Sequence, residues 1–341
     1  MRIAIHNRKN SFSDRWISYC QNNGIQYKLV DAYSTDIITQ ISDCDAFMWH
    51  HGHMHPKDII FAQKLLFALE HTGIVVFPDF KTAWHFDDKV AQKYLLEAIN
   101  APTVPTWVFY SSLEALEWIK KTDFPKVFKL RGGAGSSNVK LVNTEKEAKR
   151  IVNKAFGAGF SQYNALDGFV ERWRKYKLGK TNFLDVLKGI IRFVYPTTFT
   201  KYAGKERGYA YFQQYIPNNK YDIRVIVVDN KAFAIKRLVR ENDFRASGSG
   251  SILYDKDHFD ENTIRLAFKL SEKLNGQSIA FDFVYENNYP LVVEVSYGFM
   301  KEGYDKCEGY WDKDLVWHEG KFDFCGWMVD RVVNEVLAKI K

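Results

Sequence analysis

Cysteine is scarce in this chain of 341 residues, and the four present, Cys20, Cys44, Cys307 and Cys325, stand apart with no CxxC pair. That spacing excludes a zinc ribbon or a disulfide framework and reads as reduced thiols. Long apolar runs are missing too. Nothing approaches the roughly 18 uncharged apolar residues that cross a bilayer, and the opening MRIAIHNRKN has no signal-peptide core. The expected setting is therefore cytoplasmic. Neither a GxxxxGK(S/T) phosphate loop nor a GxGxxG between strand and helix occurs, and there is no internal repeat or low-complexity tract. Apolar side chains, by contrast, are plentiful: 46% hydrophobic and 16% aromatic content argue for packed cores over disorder. The length argues for two or three subdomains.

Positive charge is concentrated in one place. Between Arg172 and Arg207, ten Lys or Arg stand against two acids, Asp185 and Glu206. This segment accounts for the whole excess of 48 basic over 41 acidic side chains. The basic character thus belongs to one local surface, and no specific nucleic-acid partner is expected from it.

Residues 1–85 alternate short strands (IAIHN, YKLVDA, CDAFMWH, IVVFP) with helices closed by Gly24 and Gly73. This pattern predicts a small parallel sheet with helices on both faces, a Rossmann-like α/β unit whose ligand edge lies at the carboxyl ends of the strands. Residues 86–156 then give a helix opening on two Asp (DDKVAQKYLLEAIN), a strand and a helix. Two further strands, FPKVFKL and NVKLV, flank the loop RGGAGSS, and a last helix follows. The basic insertion occupies 157–207. From 208 to 341 come strands, a helix over 261–275, a hairpin and a closing amphipathic helix. The fold class is α/β.

Two hairpins carry the candidate chemistry. In IAFDFVYENNYPLVVEVS, strands 279–285 and 291–296 turn near Asn288, which sets Asp282 opposite Glu294 with Cβ atoms about 5 Å apart. Phe281, Phe283, Val293 and Val295 should point the other way, into a core. Two carboxylates so close require a positive partner, and a hard divalent cation such as Mg²⁺, bridging carboxylates to phosphates, suits them. In DIRVIVVDNKAFAIKRLV, a two-residue Asp229-Asn230 turn places Asp222 opposite Arg237, with Arg224 on the face of Asp222. Arg240 and Arg245 follow. Arginines converging near a carboxylate pair match the charge pattern around a transferring phosphoryl group. The loop from Arg131 to Ser137 offers backbone N–H groups to an anion, with the Lys129 ammonium aimed at the same place.

The succession FDDKVAQKYLLEAINAP, FPKVFKLRGGAGSSNVKLV, YFQQYIPNNKYDIRVIVVDNKAFAIKRLVRENDFRAS and FDFVYENNYPLVVEVS resembles the ATP-grasp superfamily, in particular the branch of the ribosomal-protein glutamate ligases and glutathione synthetases. The resemblance spans about residues 80–150 and 208–300, behind a preATP-grasp α/β domain. It implies ATP and Mg²⁺ as cofactors, small-molecule carboxylate and amine substrates, and amide formation through an acyl phosphate. By the same resemblance, Lys89 and Lys129 hold the ATP phosphates, and Gly132, Gly133, Gly135, Ser136 and Ser137 close over them. Gln213, Gln214, Tyr215 and Ile216 form the adenine hinge. Asp222 and Arg224 lie near ribose and phosphate, Arg237 and Arg245 stabilise the transferred phosphoryl group, and Asp282, Glu294 and Ser296 ligate the metal. Ser296 stands where the family usually has Asn, and Ser247 where the branch often has Asn, which puts the second metal position and substrate handling in question.

Three features lie outside that pattern. His50, His51, His53 and His55 cluster in WHHGHMHP, either as transition-metal ligands or, the better reading of a strand-end loop, as lining of the acceptor pocket. In the insertion, FLDVLKGIIRFV aligns Phe183, Val186, Leu187, Ile190 and Val194 on one helical face beside Lys188 and Arg192. The sequence favours an ordinary packed helix over the alternative, contact of 172–200 with an anionic acceptor or with the inner face of a membrane. Trp311, Trp317 and Tyr304 in the aromatic tail either stack on a sugar or fill a core. Tail and insertion together resemble ATP-grasp proteins associated with surface-polysaccharide synthesis, which implies an acceptor such as a sugar acid receiving an amino acid.

Overall fold

The structure is a computed structural model describing residues 1–52, 55–133, 138–161, 169, 172–173, 176–177, 179, 181–191, 204–240 and 243–340. Strands β1 (Arg2–His6), β2 (Gln26–Val30), β3 (Ala46–Met48) and β4 (Val75–Phe77) form a parallel sheet in the order β2-β1-β3-β4. Helices α1 (Phe12–Asn22), α2 (Ile37–Gln40) and α3 (Pro56–His71) connect them. Both faces are covered, so Ile3, Ala4 and Ile5 of β1 and Ala46, Phe47 and Met48 of β3 are all buried, as continuous apolar runs in a parallel sheet require.

Helices α4 (Phe80–Ala83) and α5 (Lys89–Ala98) lead to a second unit. Its strands β5 (Thr106–Phe109), β6 (Lys126–Lys129) and β7 (Val139–Val142) are backed by α6 (Ser112–Ile119) and α7 (Glu145–Phe156). The short strands β8 (Phe160–Ser161) and β9 (Lys205–Glu206) pair across the base of the insertion, which carries α8 (Phe183–Ile191). Strand β10 (Ala210–Gln214) then returns to lie between β5 and β6. The boundary drawn from sequence at 208 therefore cuts this sheet. Ala210 and Phe212, both fully buried, complete the core of α6 and α7, and periodicity shows a strand without showing its partners.

The third unit is a large sheet of β11 (Tyr221–Val228), β12 (Lys231–Leu238), β13 (Ile252–Leu253), β14 (Ser278–Glu286), β15 (Tyr289–Ser296), β16 (Gly309–Asp312) and β17 (Trp317–Glu319). Its order is β15-β14-β11-β12-β16-β17, with β13 beside β12. Helix α9 (Glu261–Leu274) covers one face through Ile264, Ala267 and Leu270. The other face packs on α10 (Phe324–Ile340), whose Met328, Val329 and Val332 share one core with Ile3 and Ile5 of β1, Phe12 and Trp16 of α1, and Ile226 and Phe233 of the large sheet. The first and third units are thus fused through the closing helix.

The β14–β15 hairpin departs from its expected register in an instructive way. Asn287 and Asn288 both adopt positive φ, giving a two-residue turn that pairs Glu286 with Tyr289. Continued regularly, that register would set Asp282 against Val293. A bulge between Asp282 and Phe283 absorbs Val293 and restores the pairing of Asp282 with Glu294. Val292, 1% exposed, consequently takes the core place assigned to Val293, which is only half-buried.

Phe233 touches the rings of Phe299, Tyr304, Phe322, Phe324 and Trp327 in the shared core. Phe233→Ala is expected to cost about 3–5 kcal/mol in denaturant unfolding. A loss below about 1 kcal/mol, the level of an ordinary surface change, would contradict a common core for these units.

Candidate nucleotide site between two sheets

Lys89 is the first residue of α5, a helix capped by Asp88, whose side chain accepts from Val90 N–H and Ala91 N–H. The helix is fixed to the edge of β15 by Gln92, whose Oε1 accepts from Val295 N–H at 3.3 Å. The following linker pairs with the same strand: Val104 N–H donates to Val292 O, and Val292 N–H to Pro102 O. These contacts carry the Lys89 ammonium to 3.3 Å from Glu294 Oε1, while it donates to Gly133 O at 2.8 Å. Lys129, at the end of β6 and 5% exposed, lies in the field of the same group. Burial pulls its pKa down to about 8, against the attraction of Glu294 and with the repulsion of Lys89.

The glycine loop is anchored at its root. Gly133 has φ +116, a conformation for which glycine is suited, and its N–H donates to Asp87. Arg131 pairs with Asp88 and Glu206, each at 3.3 Å, and its N–H donates to the Tyr209 hydroxyl, which in turn donates to Glu206. Gly132 is buried; Gly135, Ser136 and Ser137 lie outside the described residues. Asp87, Gln92, Glu206 and Tyr209 were not nominated from sequence, and Arg131 only as the first residue of the anion loop, where its N–H is taken by Tyr209. Glu206 had a signal, being one of two acids in a strongly basic segment.

The other wall is built by strand register. Arg237 on β12 faces Asp222 on β11, and Arg224 on β11 faces Asp282 on β14. Arg237 holds Asp222 through two hydrogen bonds of 2.6 and 2.7 Å and reaches Asp282 at 3.0 Å. Arg224 grips both oxygens of Asp282, one of them at 2.6 Å. Burial alone would raise the Asp282 carboxyl; Arg224 and then Arg237 outweigh it and hold the group well below the usual range. The positive partners that the two facing carboxylates required are thus side chains: arginines for Asp282 and Lys89 for Glu294. Among the described residues no group of three or more His, Cys, Asp or Glu is placed to hold a metal. Two hard carboxylates facing each other nonetheless fit Mg²⁺ when phosphate oxygens complete the set. Ser296 follows on the same strand and donates its hydroxyl to Gly298 O, leaving oxygen lone pairs free to ligate.

Other nominated residues are placed differently. Gln213 and Gln214 lie within β10, their side chains on Thr106 and Lys126, so the backbone free of the strand begins at Tyr215 and Ile216. Arg245 is gripped by Asp243 in the loop after β12, and no described contact joins it to Asp222 or Asp282. His50 stacks on Phe12 at 3.7 Å and accepts from Phe12 N–H through Nδ1; burial pushes His50 and His51 both down to about 3. Both rings pack on aromatics at the carboxyl end of β3, His51 against Phe86 and Tyr297. His50 Nε2 does approach Gly298, just past Ser296. His53 lies outside the described residues, and His55 precedes α3. Tyr304 and Trp311 are buried, with Trp317 against Trp311, so these rings fill a core.

A small lysine-bearing antiparallel sheet beside a large sheet of arginine and carboxylate pairs is the ATP-grasp architecture, and the chain has the ATP-grasp fold. Within it, residues 207–310 match the RimK-like ATP-grasp domain, a stretch holding Arg224, Arg237, Asp282 and Glu294. The chain is 23% identical over 276 residues to the α-aminoadipate–LysW ligase LysX of Saccharolobus solfataricus, covering 79% of this chain and 82% of that protein. Among solved structures it resembles a RimK domain ATP-grasp protein of Sphaerobacter thermophilus, with TM-score 0.56, 17% identity and coverage of 98% and 100% of the two chains. D-alanine–D-alanine ligase of Bacillus anthracis complexed with ATP gives TM-score 0.56, 12% identity and coverage of 99% and 97%.

Lys129 supplies a pH test. Its folded pKa is depressed, so a bound triphosphate, which favours the ammonium, must draw a proton above pH 8. The ATP Kd is expected to rise towards tenfold per pH unit from about pH 8 upward, and Lys129→Arg to flatten that rise. A Kd constant through pH 10 in the unaltered protein would remove Lys129 from the phosphate site.

Proposed function

We propose that this protein is an ATP-dependent carboxylate–amine ligase. The γ-phosphoryl group of ATP passes to a substrate carboxylate, giving an acyl phosphate and ADP. An amine then attacks the acyl carbon, phosphate leaves, and the amine loses a proton as the amide forms. The observation that carries this reading is the convergence of Lys89, Arg224 and Arg237 on Glu294 and Asp282. One buried site there offers cations for a triphosphate and carboxylates for its metal.

Each side chain has a definite task. Lys89 and Lys129 neutralise phosphate oxygens, and Lys89 also holds the glycine loop through Gly133 O. Arg237, oriented by its two bonds to Asp222, faces the charge that develops as the phosphoryl group moves. Asp282 and Glu294 would hold Mg²⁺, which supplies charge neutralisation between the phosphates. Tyr215 and Ile216 offer backbone groups to adenine. The LysX relative is named α-aminoadipate–LysW ligase, which supports an amino acid as one of the two substrates. A sugar acid receiving an amino acid, in a polysaccharide-associated role, rests on the resemblance of the tail and insertion. The rings first considered for stacking on a sugar are occupied by packing.

Hydroxylamine trapping with MgATP and pooled amino acids, dipeptides and uronic acids tests the reaction. Hydroxamate matched by ADP is expected; ADP without hydroxamate would point to hydroxyl phosphorylation or simple hydrolysis, and ATP binding without either product to an acid outside the pools or a non-catalytic module. Arg237→Lys keeps a charge beside Asp222 but loses the planar fork, and is expected to lower kcat by about 10²-fold with ATP affinity retained.

A further inference from the structure

In the basic insertion, α8 buries Val186, 2% exposed, and Gly189. A Cβ on Gly189 would meet Arg172 Cδ at 3.0 Å and the Phe169 ring at 3.4 Å, so this narrow stripe is the packed face. Arg172 closes the contact by pairing with Asp185. Phe183, Leu184, Leu187, Ile190 and Ile191 do not share it: they are 39% to 64% exposed. At 3.6 residues per turn these five fall within about 120° of the helix circumference, a continuous apolar stripe beside the packed one. Trp173 and Tyr176, each 40% exposed, extend it through the contact of Tyr176 with Phe183. The packed helix favoured by the sequence is therefore only half the account. Nine residues with five large apolar side chains outward form a surface that soluble monomers rarely keep.

We propose that this face rests on a bilayer surface containing anionic lipid. Lys177 and Lys188 are exposed beside the stripe, within a segment of ten Lys or Arg. The segment's two acids are already engaged, Asp185 with Arg172 and Glu206 with Arg131. Aliphatic side chains flanked by lysine, with Trp and Tyr at the margin, are the composition of an interfacial helix. A small anionic acceptor would leave the five aliphatic side chains in water, whereas a lipid surface covers them and meets the charge. No helix among the described residues is long and apolar enough to cross a membrane. This inference stands apart from the ligase reading.

Co-sedimentation of the full chain with vesicles of phosphatidylcholine alone, and of phosphatidylcholine with phosphatidylglycerol, tests it. Binding to the anionic vesicles is expected to be at least tenfold stronger, to weaken with salt, and to be lost in Leu184→Glu/Ile191→Glu with thermal midpoint and ATP binding unchanged. Equal binding to both vesicles, no binding to either, or full binding by the double variant overturns the proposal. So does a dimer of the unaltered chain that the double variant converts to monomer without any vesicle binding, which would give the face to a second copy.

Discussion

The buried chain of charges Asp222–Arg237–Asp282–Arg224 is the constraint on which the rest of the site depends. Taking these groups out of water is costly, and the cost is offset only because strand register delivers each guanidinium to its carboxylate with fork geometry. Three adjacent strands, β12, β11 and β14, must hold that register together. The two-residue Asp229-Asn230 turn is therefore part of the charge network as much as of the fold, and the bulge at Val293 sets Glu294 beside it. Breaking one member would leave an uncompensated buried charge, so the network constrains the sheet and the chemistry at once.

The site is completed by an element far away in sequence. Helix α5 brings Lys89 to Glu294 because Gln92 and the 102–104 linker are stitched to β15. Position and charge are coupled: if α5 shifts, Glu294 loses its cation and the glycine loop loses the Lys89 bond to Gly133. On the opposite side, α10 fuses the large sheet to the first unit through one core. Two of the three units thus form a single frame, with the small sheet, its loop and the insertion joined to one edge.

Much of this was legible in the residues. Both hairpins were readable because Asn and Asp at positive φ tolerate only a few turn geometries, and register then follows by alternation. Asp222–Arg237 came from that counting alone. Asp282–Glu294 was placed correctly although its turn is shorter than assumed, because the bulge at Val293 compensates; a bulge leaves no periodic signal. Other features depend on tertiary docking. The partners of β10, the contact of Lys89 with Glu294, and the burial of His50 and His51 among aromatic rings follow from which surfaces meet, and composition does not report that. Which side of α8 is covered was not legible for the same reason: a nine-residue helix apolar on two sides does not reveal it.

A site whose two proposed metal carboxylates already have cationic partners should have little affinity for a divalent ion by itself. In the proposed ligase, triphosphate would take over Lys89, Arg224 and Arg237 and so free Asp282 and Glu294 to hold the metal. Titration of the protein with Mn²⁺, followed by electron paramagnetic resonance with and without a non-hydrolysable ATP analogue, tests this account most directly. It predicts saturable binding only once nucleotide is present, beyond what the nucleotide binds alone. Tight Mn²⁺ binding by the nucleotide-free protein would contradict it.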